Sequence, residues 1–191
     1  MITPARYFDR SPEACQEAKN FCRLFGSMRE AWLSDGVSAS WMIWSLGLHA
    51  KNAARLARFA HKCAEVAGAV SARCPGCWRA KVTSAMSAAA ARRATDHAYW
   101  LVSSQAAACA DAAADASAAA VEAAAADYAI AAAVADKGID LASRVCALSY
   151  AESDAYAAGR LAYSDERMRQ CRHLRELFPT MFLSSKDNYE Q

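Results

Sequence analysis

The stretch that decides the fold covers residues 104–135 and reads SQAAACADAAADASAAAVEAAAADYAIAAAVA. Alanine dominates it, and alanine has the highest helix propensity of all residues. Glycine and proline are absent over an even longer stretch, residues 78–137. Propensity alone would make this one helix of about 90 Å, whereas a compact chain of this size has a radius of gyration of about 16 Å. We therefore expect a break, at Ser103 and Ser104 or near Ser117, that gives two long helices.

The composition of the whole chain supports an all-α fold. Alanine accounts for 49 of the 191 residues, while valine, isoleucine, leucine and phenylalanine together account for 30. So few large aliphatic residues are typical of disorder, but a net charge of +2 lacks the high charge of disordered chains. With 7 glycines and 4 prolines, collagen, β-sandwich, barrel and Rossmann folds are excluded. We predict a multi-helix antiparallel bundle in which alanine faces line the helix contacts.

The predicted organisation is a single helical domain over residues 1–178. Short helices fill residues 11–47, long alanine-rich helices fill 49–160, and a terminal helix covers 164–178, with Gly159 marking the end of the helix before it. Residues 179–191 are expected to form a loose tail. Because alanine packing stabilises little per residue, we expect the large side chains to anchor the fold: Trp32, Trp41, Trp44, Phe59, Trp78, Trp100, Tyr128 and Leu148.

The N-terminal residues and the cysteines favour a cytoplasmic protein. Residues 1–10 are polar and lack the apolar core of a signal peptide. Residues 104–135 contain four acidic residues, so we predict no membrane span. The chain has 8 cysteines, and without a signal peptide we expect them to be reduced.

Charge is strongly polarised along the chain. Residues 49–93 hold nine Lys or Arg and one acid, whereas residues 101–160 hold three bases and eight acids. The 4-3-4 spacing of Lys51, Arg55, Arg58 and Lys62 places them on one helix stripe, and Arg92 and Arg93 follow in the next helix. Two interpretations remain open. The acidic and basic stripes face each other inside the bundle, or these six basic residues bind a partner.

The segment Cys74-Pro75-Gly76-Cys77 has three interpretations. We favour a tight turn between helices in which the cysteines are incidental. A structural zinc site needs four ligands, and no second C-x-x-C occurs. A redox pair of the thioredoxin type would follow a strand, which is not predicted here. Metal ligation and disulfide formation by Cys74 and Cys77 therefore remain the less favoured alternatives.

No catalytic constellation is recognisable in the sequence. The four histidines share no motif, and G-x-S-x-G, H-E-x-x-H and P-loop patterns are absent. The i,i+4 carboxylate pairs lack the Glu-x-x-His partners of a di-iron bundle site. We expect a non-enzymatic protein without a cofactor.

Three further segments carry a family resemblance. Ala31-Trp32, Trp41-Met42-Ile43-Trp44 and the run MRQCRHLRELF at residues 168–178, together with the alanine-rich helices, resemble a group of alanine-rich helical proteins of bacteriophages and bacteria. Most of that group is uncharacterised, and some members are labelled immunity proteins. The resemblance implies a non-enzymatic protein that acts in bacterial or phage conflict by binding something. It transfers no functional residue to this chain.

These observations lead to two hypotheses. In the first, the chain is an immunity-type or phage-encoded inhibitor that masks an acidic surface of another protein. In the second, the basic face of residues 49–93 binds nucleic acid or an anionic nucleotide, although no exposed aromatic residue for base stacking is interleaved with the basic stripe. Small-residue helix faces also suit self-association, so a homodimer is compatible with the sequence.

Overall fold

The computed structural model describes residues 2–136 and 143–183, with side chains for residues 2–133 and 153–183. Over these residues the chain is an all-α helical bundle without strands, which confirms the predicted fold class. A 3-10 turn, Ala50–Asn52, precedes the long helices. The helix bounds are α1 Pro4–Phe8, α2 Gln16–Cys22, α3 Met28–Leu33, α4 Ala39–Gly47, α5 Ala53–Arg73, α6 Trp78–Tyr99, α7 Ser103–Asp136 and α8 Ser143–Leu177.

The alanine-rich helix α7 is the centre of the bundle. It packs against α4, α5, α6 and α8, so its first half has neighbours on nearly every side. Its buried residues are all small: Ala106, Ala107, Ala110, Ala113, Ala114, Ala116, Ser117, Ala118 and Ala120. Side chains of this size let backbones approach closely, and the resulting dispersion contacts replace the interdigitation of larger residues.

Contacts between α7 and α8 show that these two helices are antiparallel. Ser117 Oγ lies 3.4 Å from Glu166 Oε1, and Glu122, later in α7, packs against Gly159, earlier in α8. Helix α6 is antiparallel to α7 in the same way, with Ser87 Oγ donating to the buried carbonyl of Ala113 at 2.8 Å. The connections between α5, α6 and α7 are short, which favours such neighbours.

The predicted break in the alanine-rich stretch lies just before Ser103. Helix α6 ends at Tyr99, and Leu101 adopts a left-handed conformation with φ of 57°. The N–H of Val102 donates to the His97 carbonyl at 2.9 Å, and Leu101 N–H donates to Ala98 at 3.1 Å. This is a Schellman motif in which leucine holds the position usual for glycine. The alternative break near Ser117 is wrong, because Ser117 lies inside the continuous helix α7.

Helix α8 runs through Gly159, where the sequence predicted an end. Gly159 is buried, and a Cβ there would lie 3.2 Å from both Cγ and the backbone oxygen of Glu122. The glycine therefore allows α7 and α8 to approach closely rather than terminating a helix. The predicted separate helix 164–178 is the second half of α8.

The segment after α8 is packed where a loose tail was expected. Met181 and Phe182 are buried, and the Phe182 ring contacts those of Tyr7 and Trp32. Arg29 Nη1 donates to the Met181 carbonyl at 2.9 Å. Residues 179–183 thus cover the core formed by the short N-terminal helices. There are four of these helices among the described residues, because Pro4–Phe8 is helical as well. Residues 184–191 lie outside the described part.

Several predicted anchors are exposed. Trp32 and Phe59 are buried, as expected, and Trp41 and Trp44 are half-buried. The expectation was wrong for Trp78, Trp100 and Tyr128, which are 67%, 73% and 77% exposed. Close alanine packing around α7 leaves no space inside for these rings. Leu148 lies outside the residues whose side chains are described.

The described helices include none that combines the length and the apolar character required to cross a bilayer.

Candidate functional site

The predicted basic stripe begins at Lys51 in the 3-10 turn and continues along the outer side of α5 with Arg55, Arg58 and Lys62. Lys51, Arg55, Arg58 and Lys62 are all exposed. Along α5 these basic residues alternate with the buried Leu56, Phe59 and Cys63, as expected for a helix with one buried side. The structure therefore brings these four basic residues together on one surface.

Two acids of α7, Asp111 and Asp115, contact elements other than α5. Asp115 Oδ1 lies 2.9 Å from Arg167 Nη1 of α8, and Asp111 Oδ1 accepts a hydrogen bond from Ser40 Oγ at 2.8 Å. Arg167 Nη2 donates to the same Ser40 hydroxyl at 2.6 Å. Asp111 and Asp115 thus face α4 and α8, so the proposed pairing with the α5 stripe is wrong for both. Asp136 lies outside the residues whose side chains are described.

A groove separates the basic stripe from α8. One depression of about 420 Å³ is lined by Lys62 and Phe59 of α5 and by Arg169, Arg172, His173 and the acidic Glu176 of α8. Glu176 Oε2 lies 3.3 Å from His173 Nδ1. A second depression of about 240 Å³ is lined by residues that include His49, Lys51, Arg55 and Phe178. Neither depression is lined by Arg58, Arg92 or Arg93. The groove is concave and rich in cationic groups, which suits an anionic ligand.

The cations of the groove differ in how strongly they are already engaged. Arg169 makes a bidentate contact with buried Glu166, at 2.8 and 2.9 Å, and this hydrogen bonding raises the pKa of Arg169. Lys62 contacts Glu65 at 2.9 Å, and that hydrogen bond lowers the pKa of Glu65. Arg172 is exposed and has no hydrogen bond or ion pair among the described residues. It is the cation most available to a ligand.

The other two predicted residues lie on a different surface, the outer face of α6. Arg92 and Arg93 are exposed there. Large apolar side chains share this face, because the 4-4-7-7 spacing of Trp78, Val82, Met86, Arg93 and Trp100 keeps them on one side of the helix. All four apolar members are exposed.

The α5 stripe and the α6 face are adjacent. His61 Nε2 of α5 lies 2.9 Å from Thr95 Oγ1 of α6. Arg58 lies three residues before His61, and Arg92 lies three residues before Thr95. Because α5 and α6 are antiparallel, the two arginines lie on opposite sides of this contact, about 9 Å apart along the helix axes, and the α5–α6 side of the bundle presents cations from both helices. We use the name outer α6 face for Trp78, Val82, Met86, Arg92, Arg93 and Trp100.

The Cys74–Cys77 segment forms the predicted turn, between α5 and α6. Cys77 N–H donates to the Cys74 carbonyl at 3.0 Å, and Cys77 is the N-cap of α6, its Sγ accepting the Ala80 N–H at 3.3 Å. Asp127 of α7 reaches the same place: the two Sγ atoms and one of its carboxylate oxygens all lie within 4.8 Å of one another. Burial raises the pKa of the Cys77 thiol, and the charge of Asp127 raises it further.

Some residues of these sites have no clear signal in the sequence. The sequence gives Asp127 no role beyond its place among the eight acids of residues 101–160, and only the packing of α7 against the α5–α6 turn brings it to the cysteines. Arg169 and Arg172 belong to the segment 168–178 that carries the family resemblance, which assigns them no role. Their i,i+3 spacing places them on one side of α8, but it does not indicate that this side borders α5.

Comparison of the chain with the known protein families, with the curated proteins and with the solved structures gave no match in any of the three. The resemblance to alanine-rich phage and bacterial proteins therefore stays an interpretation of the sequence, and the function has to be argued from the surfaces described above.

Proposed function

We propose that this chain is a non-enzymatic binding protein that docks its outer α6 face on a partner protein. The partner presents an apolar surface bordered by acidic residues. The observation that carries the proposal is the exposure of Trp78 and Trp100 at the two ends of a helix face that also holds Val82, Met86, Arg92 and Arg93. Large exposed apolar patches mark interaction sites.

The residue types of this face fit a protein interface better than a solvated helix. Tryptophan, arginine and methionine are enriched in interfaces, and tryptophan and arginine dominate their binding hot spots. Lysine and glutamate, which are depleted there, do not occur among the six residues, and the one acid that shares this side of α6 with them is the exposed Asp96. The neighbouring basic stripe on α5 adds long-range attraction for an acidic partner, which raises the association rate more than the affinity. Binding of this kind acts by covering the partner's surface, as expected of an inhibitor or immunity-type protein.

The test is capture of partners from a nuclease-treated bacterial lysate by four tagged forms of the protein. These are the wild type, the double variant W78A/W100A, the double variant R92E/R93E and a matched control, Y156A/R160E. The control changes an exposed aromatic and an exposed arginine on α8 and so reproduces the chemistry on another surface. Circular dichroism verifies that all four forms have the same helix content.

We expect one protein that binds in a fixed ratio, is lost by both α6 variants and is retained by the control. Titration of the purified pair should show a loss of about 30-fold in Kd for a single tryptophan substitution, the effect of a hot spot worth about 2 kcal/mol. Equal retention by all four forms contradicts the proposal. A wild-type dimer that W78A/W100A dissociates would assign the face to a second copy of this chain.

Charge reversal of the basic stripe distinguishes long-range electrostatic attraction from contacts made in the docked complex. Replacing Lys51, Arg55, Arg58 and Lys62 by Glu should slow association and weaken its salt dependence while leaving the dissociation rate nearly unchanged. Complete loss of binding in a correctly folded variant would place the contact on the α5 stripe instead.

The groove between α5 and α8 favours a second candidate function, binding of an anionic nucleotide or nucleic acid. Lys62, Arg169, Arg172 and His173 surround a depression of about 420 Å³, which has room for phosphate groups. Phe59 lines this depression, but its side chain is fully buried and offers no ring face for base stacking. This candidate predicts that affinity for a nucleotide or an oligonucleotide falls steeply with salt and is lost in R172E. A flat salt response contradicts it.

A further inference from the structure

We propose that Cys74, Cys77 and Asp127 form a binding site for a divalent zinc-type cation, with water in the fourth position. The inference is independent of the proposed function. It rests on the meeting of three elements of the fold: the end of α5, the start of α6 and the second half of α7.

The distances suit a tetrahedral ion. The three donor atoms lie within 4.8 Å of one another. A zinc ion with Zn–S bonds of about 2.3 Å and a Zn–O bond of about 2.0–2.2 Å holds tetrahedral donors roughly 3.5–3.8 Å apart. The donors would have to approach by at most about 1 Å, and side-chain rotation at Cys74 and Asp127 is the movement that would bring them together. Both of these residues have solvent access, whereas Cys77 is only 1% exposed.

Two features at the start of α6 partly offset the burial and the Asp127 charge that disfavour a Cys77 thiolate. Its Sγ accepts the N–H of Ala80 at 3.3 Å and lies at the N-terminus of the 22-residue helix α6, where the helix dipole stabilises negative charge. Asp127 comes from another helix, 50 residues further along the chain. Once the two thiols ionise, the thiolates and the carboxylate repel one another, and a cation at their centre would remove that repulsion.

The donor set identifies the class of metal. Two thiolates exclude magnesium and calcium, which prefer oxygen donors. An iron–sulfur cluster needs about four cysteine ligands, and this group contains two cysteines. Zinc binds sulfur and carboxylate oxygen, and with three protein ligands it keeps a water. Such an ion would fasten the α5–α6 turn to α7.

The experiment is a titration of reduced, tag-free protein with Co²⁺, which substitutes for zinc and reports thiolate ligation by a charge-transfer absorption. Four variants are compared with the wild type: C77S, D127N, and the matched controls C109S and D154N. Serine is a good N-cap and preserves the start of α6, and the exposed Asp127 tolerates asparagine. Thermal unfolding with and without Zn²⁺ gives a second readout.

We expect one equivalent of Co²⁺ with thiolate charge transfer, displaced by Zn²⁺, and a melting temperature that rises with Zn²⁺. C77S should abolish the charge-transfer absorption, D127N should weaken binding at least tenfold, and C109S and D154N should resemble the wild type. Absence of thiolate charge transfer in the reduced protein overturns the proposal. Binding that needs the cysteines but is unchanged in D127N overturns the three-ligand site.

Discussion

Arg167 Nη1 of α8 lies 2.9 Å from Asp115 Oδ1 of α7, and this contact determines which charges of the bundle remain available. Arg167 is only 17% exposed and also donates to Ser40 and to Gln170. The acids at the start of α7 are thereby occupied by a basic residue from the far end of the chain. The basic stripe is consequently not paired with Asp111 or Asp115, which contact α4 and α8 instead.

Removing Arg167 should destabilise the protein more than removing an exposed arginine. We expect R167M to lower the free energy of unfolding by about 2 kcal/mol, since charge-assisted hydrogen bonds to Asp115, Ser40 and Gln170 are lost together. The matched control R160M removes an exposed arginine and should change stability by less than about 0.5 kcal/mol. Urea unfolding of both variants measures the difference. Equal effects would mean that the network contributes nothing.

Two glycines within helices should respond to alanine in opposite directions. A Cβ on Gly47 would lie 2.5 Å from the Cβ of Ala107 on α7, so α4 and α7 would have to separate. We expect G47A to cost about 1–3 kcal/mol by overpacking, which exceeds the gain of about 1 kcal/mol in helix propensity. Gly68 of α5 has no neighbour within 4 Å of that position, so G68A should gain up to about 1 kcal/mol. Chemical unfolding of the pair checks both signs.

Substitution of Trp32 and of Trp78 by alanine should change the free energy of unfolding by very different amounts. Trp32 is buried against Phe182, so W32A should lower the free energy of unfolding by about 3–5 kcal/mol. Trp78 is 67% exposed, so W78A should change it by less than about 0.5 kcal/mol. Thermal and urea unfolding give both values. A large loss in W78A would show that the exposed ring stabilises the fold and would weaken its assignment to an interface.

The free energy of unfolding should fall as the pH drops through the usual titration range of histidine. Burial, and then the nearby Lys51, lower the pKa of His49 from 6.5. Between the lowered folded value and 6.5 the unfolded chain binds more protons than the folded one, so acid favours unfolding. We expect the free energy of unfolding to decrease from about pH 7.5 to about pH 5.5, and to decrease less in H49Q.

The matched control for this pH dependence is H97Q, which removes a half-buried histidine at the end of α6. Its unfolding free energy should follow the wild-type slope between the same two pH values. If H49Q has the wild-type slope as well, another group causes the pH dependence.

Local sequence determined the elements and most of their faces. Alanine propensity and the scarcity of glycine and proline predict an all-α chain. The 3-4-3-4 spacing of Leu56, Phe59, Cys63, Val66 and Val70 predicts the inner side of α5, where the first three are buried and the two valines half-buried. The capping-box spacing of Ser27 and Glu30 predicts the start of α3, and Ser27 Oγ accepts the Glu30 N–H there at 3.2 Å. Helical spacing also correctly placed the basic residues of α5 on its exposed side. These features depend on interactions within about four residues, which a sequence displays directly.

Tertiary structure decided what each element packs against. Gly159 was interpreted as a helix end because a sequence does not show that Glu122 lies beside it, and Leu101 ends α6 without the glycine that usually marks such an end. Trp78 and Trp100 were expected inside because size normally predicts burial, yet the closely packed alanines around α7 exclude large rings from the centre. Asp127 reaches Cys74 and Cys77 only through the antiparallel packing of three helices. Propensity and periodicity are properties of a single helix, whereas contacts between residues far apart in the chain depend on how all the helices fill space together.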